Sequence, residues 1–233
     1  MDAFGSATLN IYQNPEGYLE DNPGDVDRLV DVAQSAFDRD GIPTREDVEQ
    51  HILPVSTLVT AEIDDELVGF SSTEVLELEE PQVYAVGLSV HEDYQGEGLG
   101  KVMRTLGVKE ESVSDDPLVS TRTQNPAVLS YMQDLFDAYP REEETPDRIA
   151  SSLEELAREL DPEAEFDPPV MREAYPEAMY DQVPEHELKP FMDEKLEYED
   201  GDAMLIAGSV SQEELEDAYR RALGDAERQF YID

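Results

Sequence analysis

The stretch QGEGLGK, Gln95–Lys101, places glycines at Gly96, Gly98 and Gly100. Each glycine inside a helix costs about 1 kcal/mol relative to alanine. Yet Leu99, Val102, Met103 and Leu106 recur at i, i+3, i+4 and i+7 from within that stretch, the period of an amphipathic helix. A helix over about Gly98–Val113 is therefore entered through a loop with almost no side chains. The residues before it, QVYAVGLSV (Gln82–Val90), are nearly continuous apolar, as an interior strand is. A strand ending in glycines that open a helix is the geometry for holding an anion. The first helical N–H groups have no intrahelical partner, the dipole adds about half a positive charge, and missing side chains permit close approach. GxxxxGK[ST] is absent, which excludes a P-loop. The spacing is not GxGxxG and no βαβ start precedes it, so a dinucleotide fingerprint fits poorly. The plain alternative is a tight strand-to-helix turn with no ligand.

The flanking chain alternates strand and helix. ATLNIYQ (Ala7–Gln13) reads as a short strand, and Val26, Leu29, Val30, Ala33 and Phe37 form one helical face opened at Gly24-Asp25. Thr44-Arg45-Glu46-Asp47 is a capping-box pattern for a short helix to about His51. TLVTAEI and ELVGFSSTEVLEL flank Asp64-Asp65 as a hairpin. After the glycine helix come a strand, PLVSTRT (Pro117–Thr123), and a helix begun at Asn125-Pro126 with Val128, Tyr131, Met132, Leu135 and Phe136 on its buried face. Beyond Pro140 a charged amphipathic helix, Pro146–Leu160, leads into a proline-broken segment rich in Tyr and Met. GDAMLIAGSV (Gly201–Val210) is then a strong strand, and a last helix runs to about Leu223. This order predicts an α/β (α+β) fold, a mixed sheet covered by helices.

Composition narrows the function. Asp plus Glu number 58 against 16 Lys plus Arg, a formal net charge of −42. That surplus opposes any general affinity for nucleic acid or an anionic membrane. The acids are spread along the chain rather than blocked into a tail. Repulsion of this size is screened within about 3 Å at 1 M salt, so the surface reads as adapted to high salt, the product of an extreme halophile. With no cysteine and three separated histidines, His51, His91 and His186, thiol chemistry is excluded and no metal site is expected. No apolar run spans a bilayer and the opening MDAFGSATLNIYQ lacks the regions of a secretory signal; a cytoplasmic protein is expected.

Gln95-Gly96-Glu97-Gly98-Leu99-Gly100, preceded by Leu88-Ser89-Val90, resembles the (Arg/Gln)-x-x-Gly-x-(Gly/Ala) signature of the GNAT family of N-acetyltransferases. Asn125 and Tyr131 match the family's Asn opening the helix after the fifth strand and the Tyr on that helix. The element order matches over residues 7 to about 140. The overall likeness is to an acidic, haloarchaeal-type member. The resemblance implies a mostly antiparallel central sheet flanked by helices, with a helical insertion before the last strand. In domain terms, residues 1–140 would be the acyl-CoA-binding core, 141–200 an insertion packed on it, and 201–233 a final strand and helix completing the same domain.

The resemblance further implies acetyl-CoA as cosubstrate and transfer of its acetyl group to an amine by direct attack. Backbone groups of Leu88 and Val90 would pair with the pantetheine arm. Gln95, Gly96, Gly98 and Gly100, with the N–H groups of Glu97 and Leu99, would hold the pyrophosphate. Asn125 would contact the cofactor arm, and Tyr131 would protonate the departing thiolate. Lys101 and Arg104, i and i+3 on the helix, are expected on its exposed side as a basic patch joined by Lys109; the alternative is pairing with nearby carboxylates. Tyr131 reads equally as a core residue. Glu74, Glu77, Glu79, Tyr84 and His91 carry no assignable base. The acceptor is a small-molecule or protein amine. Tyr175, Tyr180, Met171, Met179 and Phe191 of the insertion would roof the acceptor cleft, pack as an extra layer, or form the interface of a homodimer. A non-catalytic acyl-CoA sensor or oligomeric interaction module of the same fold is the alternative function.

Overall fold

A computed structural model describes residues 6–37, 43–112, 114–227 and 229–232. In chain order the elements are β1 (Ser6–Gln13), α1 (Glu16–Asp21), α2 (Pro23–Phe37), α3 (Arg45–Ile52), β2 (Thr57–Ile63), β3 (Glu66–Leu76) and β4 (Gln82–Val90). They continue with α4 (Leu99–Glu111), β5 (Leu118–Thr123), α5 (Pro126–Phe136), α6 (Asp147–Leu160), β6 (Phe166–Asp167) and β7 (Val170–Met171). Last come α7 (Lys189–Asp193), β8 (Ala203–Ser209), α8 (Gln212–Ala226) and β9 (Tyr231–Ile232). The expected end of the glycine helix, Val113, and the first residues of the chain lie outside the described residues.

The elements form two compact units. The first holds the chain up to Val75, β4 from Ala85 onward, α4, and the segment from Glu213. Its strands run in the order β4-β3-β2-β1-β9. β2 pairs antiparallel with both β1 and β3, while β9 lies parallel to β1. The β2–β3 turn is the predicted hairpin: Asp64 and Asp65 have φ of 52° and 67°, the double positive φ of a two-residue turn whose twist suits the flanking strands. Strand alternation then splits the core. Val59, Ala61 and Ile63 pack with Leu99, Val102 and Met103 of α4 and with Ala222 and Ala226 of α8. Leu58, from the opposite face of β2, packs with Leu19, Leu29, Val48 and Ile52 of α1–α3. The capping box of α3 is present, with Asp47 N–H donating to Thr44 Oγ1 at 3.2 Å and Thr44 N–H to Asp47 Oδ2 at 2.8 Å.

The second unit holds Leu76–Tyr84 and Ser114–Gln212, with strand order β6-β7-β8-β5-β4. β4 and β5 are parallel over Gln82–Tyr84, and β8 is antiparallel to β5 over its whole length. Helices α5 and α6 pack on β8, burying Leu129, Met132, Phe136, Ile149, Leu153 and Leu156. The stretch 141–200 falls within this unit and is more than helix: β7 pairs with β8 and β6 with β7. Nor is β8 the last strand, as the sequence suggested; β9 follows α8 in the first unit. Tyr231–Ile232 is too short for a periodicity signal, and its strand exists only because β1 offers an edge.

Candidate functional site

The β4–α4 junction is pinned by side-chain and backbone bonds. Gln95 Nε2 donates to Val90 O at 2.9 Å and to Ala36 O at 3.2 Å, and Glu92 N–H donates to Ser35 Oγ at 3.1 Å. The chain between these ties makes a short 3-10 turn, Glu92–Tyr94, so the loop is clamped to the end of α2. The side-chain amide of Gln95, a residue the motif assigns to the pyrophosphate loop, is thus spent inside the protein. Both its N–H donors go to carbonyls, which makes Gln95 a loop-forming residue.

Each glycine answers a different demand. Gly96 and Gly98 have φ of +80° and +88°, the left-handed region that L side chains enter at about 1–2 kcal/mol. A Cβ on Gly98 would also stand 3.3 Å from Ala226 N, whereas one on Gly96 would meet nothing within 4 Å. A Cβ on Gly100 would touch Val90 Cγ2 at 3.4 Å and Leu88 Cδ2 at 3.5 Å. Gly98 and Gly100 therefore serve close packing of α4 against α8 and β4, as the ligand-free alternative requires. Gly96 borders open space.

Gly98 is the N-cap of α4; it carries no capping side chain, and no acidic residue lies in the first turn. The first intrahelical bond runs from Val102 N–H to Gly98 O at 3.2 Å, so the N–H groups of Leu99, Gly100 and Lys101 lie ahead of the helical ladder. Lys101 is half-buried, and no carboxylate among the described residues pairs with it. An uncapped N-terminus, an open glycine and a lysine suit an anion of more than one charge. Leu88 and Val90 are half-buried at the end of β4, Leu99 is buried, and Glu97 is half-buried at the loop.

Arg104 overturns the expected surface patch. It is only 2% exposed, and its guanidinium donates to Ser72 O at 2.9 Å and Gly87 O at 2.8 Å. The cause is the burial of α4 on nearly every side, Val102 through Val108 being buried without a break. A long side chain here runs inward and offers its fork to strand carbonyls instead of solvent. Lys109 is also engaged, 2.6 Å from Glu216 and over the Tyr219 ring. Of the three cations, Lys101 stays at the loop.

Asn125 and Tyr131 belong to the second unit. Asn125 Oδ1 accepts from Ala127 N–H at 2.9 Å as the N-cap of α5, and its Nδ2 donates to Tyr180 Oη at 3.2 Å. Tyr131 is 7% exposed, and its enclosed hydroxyl has no hydrogen-bond partner, an unusual state for a buried polar atom. Burial pushes the Tyr180 phenol up to about 12, against the hydrogen bond from Asn125, with Tyr175 and Tyr131 adding to the rise. Residues 88–101 are thus assembled in one unit, while Asn125, bonded to Tyr180, and Tyr131 lie in the other.

Two further residues emerge from the second unit. Gln124 accepts from Met179 N–H at 2.7 Å and donates to Asp202 O at 2.9 Å, tying the Tyr175–Tyr180 segment to the end of β5. Arg122 lies with its guanidinium 4.8 Å from the centre of the Tyr175 ring. Arg122 had one signal in the sequence, as the lone charge in the strand LVSTRT.

Residues 26–106, which contain this junction, match the model of the Acetyltransferase (GNAT) family. The fold is the GNAT fold, mixed α/β with a mostly antiparallel central sheet flanked by helices. Among solved structures the chain is similar to an aminoglycoside acetyltransferase from an uncultured soil metagenomic sample, at 21% identity over 59% of this chain and 91% of that one, TM-score 0.41. It is also similar to the ribosomal-protein-S18-alanine N-acetyltransferase of Escherichia coli, at 14% identity over 87% and 94% of the two chains, TM-score 0.47. A GNAT family N-acetyltransferase from the same organism, solved with CoA, is similar at 17% identity over 56% and 69%, TM-score 0.40. No curated protein matches the sequence.

Proposed function

We propose that the protein is an N-acetyltransferase that moves an acetyl group from acetyl-CoA to an amine by direct attack. The observation that carries this is the β4–α4 junction: an uncapped helix N-terminus opened by left-handed Gly96 and Gly98, with Lys101 on its first turn. In this reading the N–H groups of Glu97, Leu99, Gly100 and Lys101 and the Lys101 ammonium hold the pyrophosphate, Gly96 leaves it room, and Gln95 fixes the loop. The backbone of Leu88 and Val90 pairs with the pantetheine arm. Arg104 supports the strands from within and has no part in binding.

Acetyl-CoA supplies an acetyl group activated as a thioester. The new C–N bond forms from the amine lone pair as the C–S bond breaks. An ordinary lysine-type amine, with a pKa of about 10.4, must first lose a proton. In this reading the hydroxyl of Tyr131, enclosed and without a hydrogen-bond partner among the described residues, supplies the proton that the departing thiolate needs. Asn125 donates to Tyr180 and, in the reading from resemblance, contacts the cofactor arm. The acidic surface, at a net charge of −42, is read as an adaptation to a salt-rich cytoplasm.

The test is calorimetric binding of acetyl-CoA in multimolar KCl, with thiol release on adding an amine panel. Wild type binds in the micromolar range, and Gly96→Asp, which places a carboxylate where the structure is open, weakens binding by about 100-fold. Equal affinity of the two proteins overturns the loop assignment. Thiol release with an amine separates turnover from a module that only binds.

A further inference from the structure

We propose that Arg122 is the anchor for a carboxylate on the amine acceptor, with Tyr175 as the wall against which its guanidinium is held. This names the acceptor class and rests on the acetyl-transfer reading above.

The argument begins with charge. In a chain with 58 acidic residues, cations readily find carboxylates. Arg28, Arg45, Arg141, Arg148, Arg158, Arg172 and Arg220 all do so, and Arg104 has its two carbonyls. Arg122 has neither. It is half-buried, lies over the Tyr175 ring at 4.8 Å, and no carboxylate among the described residues is within ion-pair distance of it. Its guanidinium is hydrogen-bonded to Tyr175, a neutral partner, and the one carboxylate that acts on it, Asp161, is exposed. A desolvated guanidinium without a counter-charge is costly, and an aromatic face compensates only in part. The group that would complete it is a planar anion matched to its fork, for which a carboxylate is suited.

The wall beside Arg122 is held in place from several sides. Arg122 and Ser120 share one face of β5, and Tyr84 lies in register with Ser120. Tyr175 is fixed by its N–H to Gly201 O at 2.9 Å. That approach admits only glycine at 201, where a Cβ would stand 1.9 Å from Tyr175 O. Met179 N–H on Gln124 holds the other end of the segment. Tyr180, further along the same segment, accepts from Asn125 Nδ2 at the start of the helix that carries Tyr131, whose hydroxyl has no hydrogen-bond partner among the described residues. The segment that holds Tyr175 against Arg122 thus also carries Tyr180 to the head of that helix.

The experiment compares amino acids with their carboxamides, with kcat/KM referred to the neutral-amine fraction of each because the carboxamide is the weaker base. Thiol release from acetyl-CoA is expected to favour the amino acids by at least about tenfold in kcat/KM. Arg122→Gln erases that preference through KM and leaves acetyl-CoA affinity unchanged. Arg122→Lys, which keeps the charge and loses the fork, retains part of it, and serves as well if the glutamine variant fails to fold. Equal use of both amine sets by wild type, or a preference that survives Arg122→Gln, overturns the proposal. Failure of the donor reading shows separately, as absent acetyl-CoA binding. In that case saturable binding of an amino acid, seen by ligand NMR and lost in Arg122→Gln, still supports the anchor, and binding indifferent to the substitution sinks it.

Discussion

The two strand-to-helix junctions, β4 to α4 and β5 to α5, solve the same problem in opposite ways. At α5 the helix is closed: Asn125 accepts from Ala127 N–H, and Pro126 stands where a missing N–H is harmless. At α4 it is left open: Gly98 has no side chain to cap with, and the carboxylates so abundant elsewhere avoid the first turn. A cap is worth about 1 kcal/mol to a helix, so omitting it among 58 acids lowers local stability and leaves the first N–H groups outside the helical ladder. Under the proposed function an anion is to be sought at α4 through those backbone groups, whereas the groups proposed at α5 are side chains.

Four measurements test that contrast, taken from the largest expected effect. Arg104→Met removes a buried guanidinium and strands Ser72 O and Gly87 O. Denaturant unfolding should show a loss of about 3 kcal/mol, and a loss under about 1 kcal/mol would mean that the carbonyls find water. Next, Gly98→Ala pairs left-handed strain with a clash at Ala226, while Gly96→Ala carries the strain alone. The first should lose about 2 kcal/mol and the second about 1 kcal/mol; equal losses would dissolve the distinction between a packing glycine and a cradle glycine. Asn125→Ala should cost about 1 kcal/mol in stability. If acetyl-CoA affinity does not fall with it, Asn125 is a cap and not a cofactor contact.

The smallest effect is electrostatic and lies in the second unit. The Arg148 hydrogen bond holds the Glu80 carboxyl below its usual range, against the opposing effect of burial. A carboxyl depressed in the folded state stabilises the protein above the unfolded value, about 4.3, and loses that contribution as pH falls through the folded value. Glu80→Gln should therefore flatten part of the acid branch of the Tm-against-pH curve. Because the pair is half-exposed, the difference should shrink in multimolar salt; an unchanged acid branch would show the pair contributes nothing.

Much of the molecule could be read before any coordinates. The Thr44–Asp47 capping box, the Asp64-Asp65 turn and the helix entered through glycines depend on residues within a few positions of each other. Their geometry is set by local backbone preference and nearest-neighbour hydrogen bonds. Strand β9 escaped because its pairing comes from a distant edge, β1. β6 and β7 escaped because two-residue strands have no period to detect. At the site, Gly96 and Gly98 were legible as glycines required by the turn. The side chain of Arg104 was misread, since helical spacing placed it on the exposed side of α4; the carbonyl partners of the Gln95 amide lie outside what the motif carries.

The sequence alone thus determined the glycine entrance, the acid excess and the order of the longer elements, each of which follows from composition or short-range spacing. Only the tertiary structure decided what the long polar side chains do. Arg104 and Arg122 are the same residue type, each close to an apolar stretch. One donates to carbonyls of β3 and β4, and the other meets a tyrosine ring and no carboxylate among the described residues. A guanidinium reaches several ångströms from its backbone, so its partners are chosen by which distant strands and loops fold around it. No pattern of neighbours along the chain carries that choice.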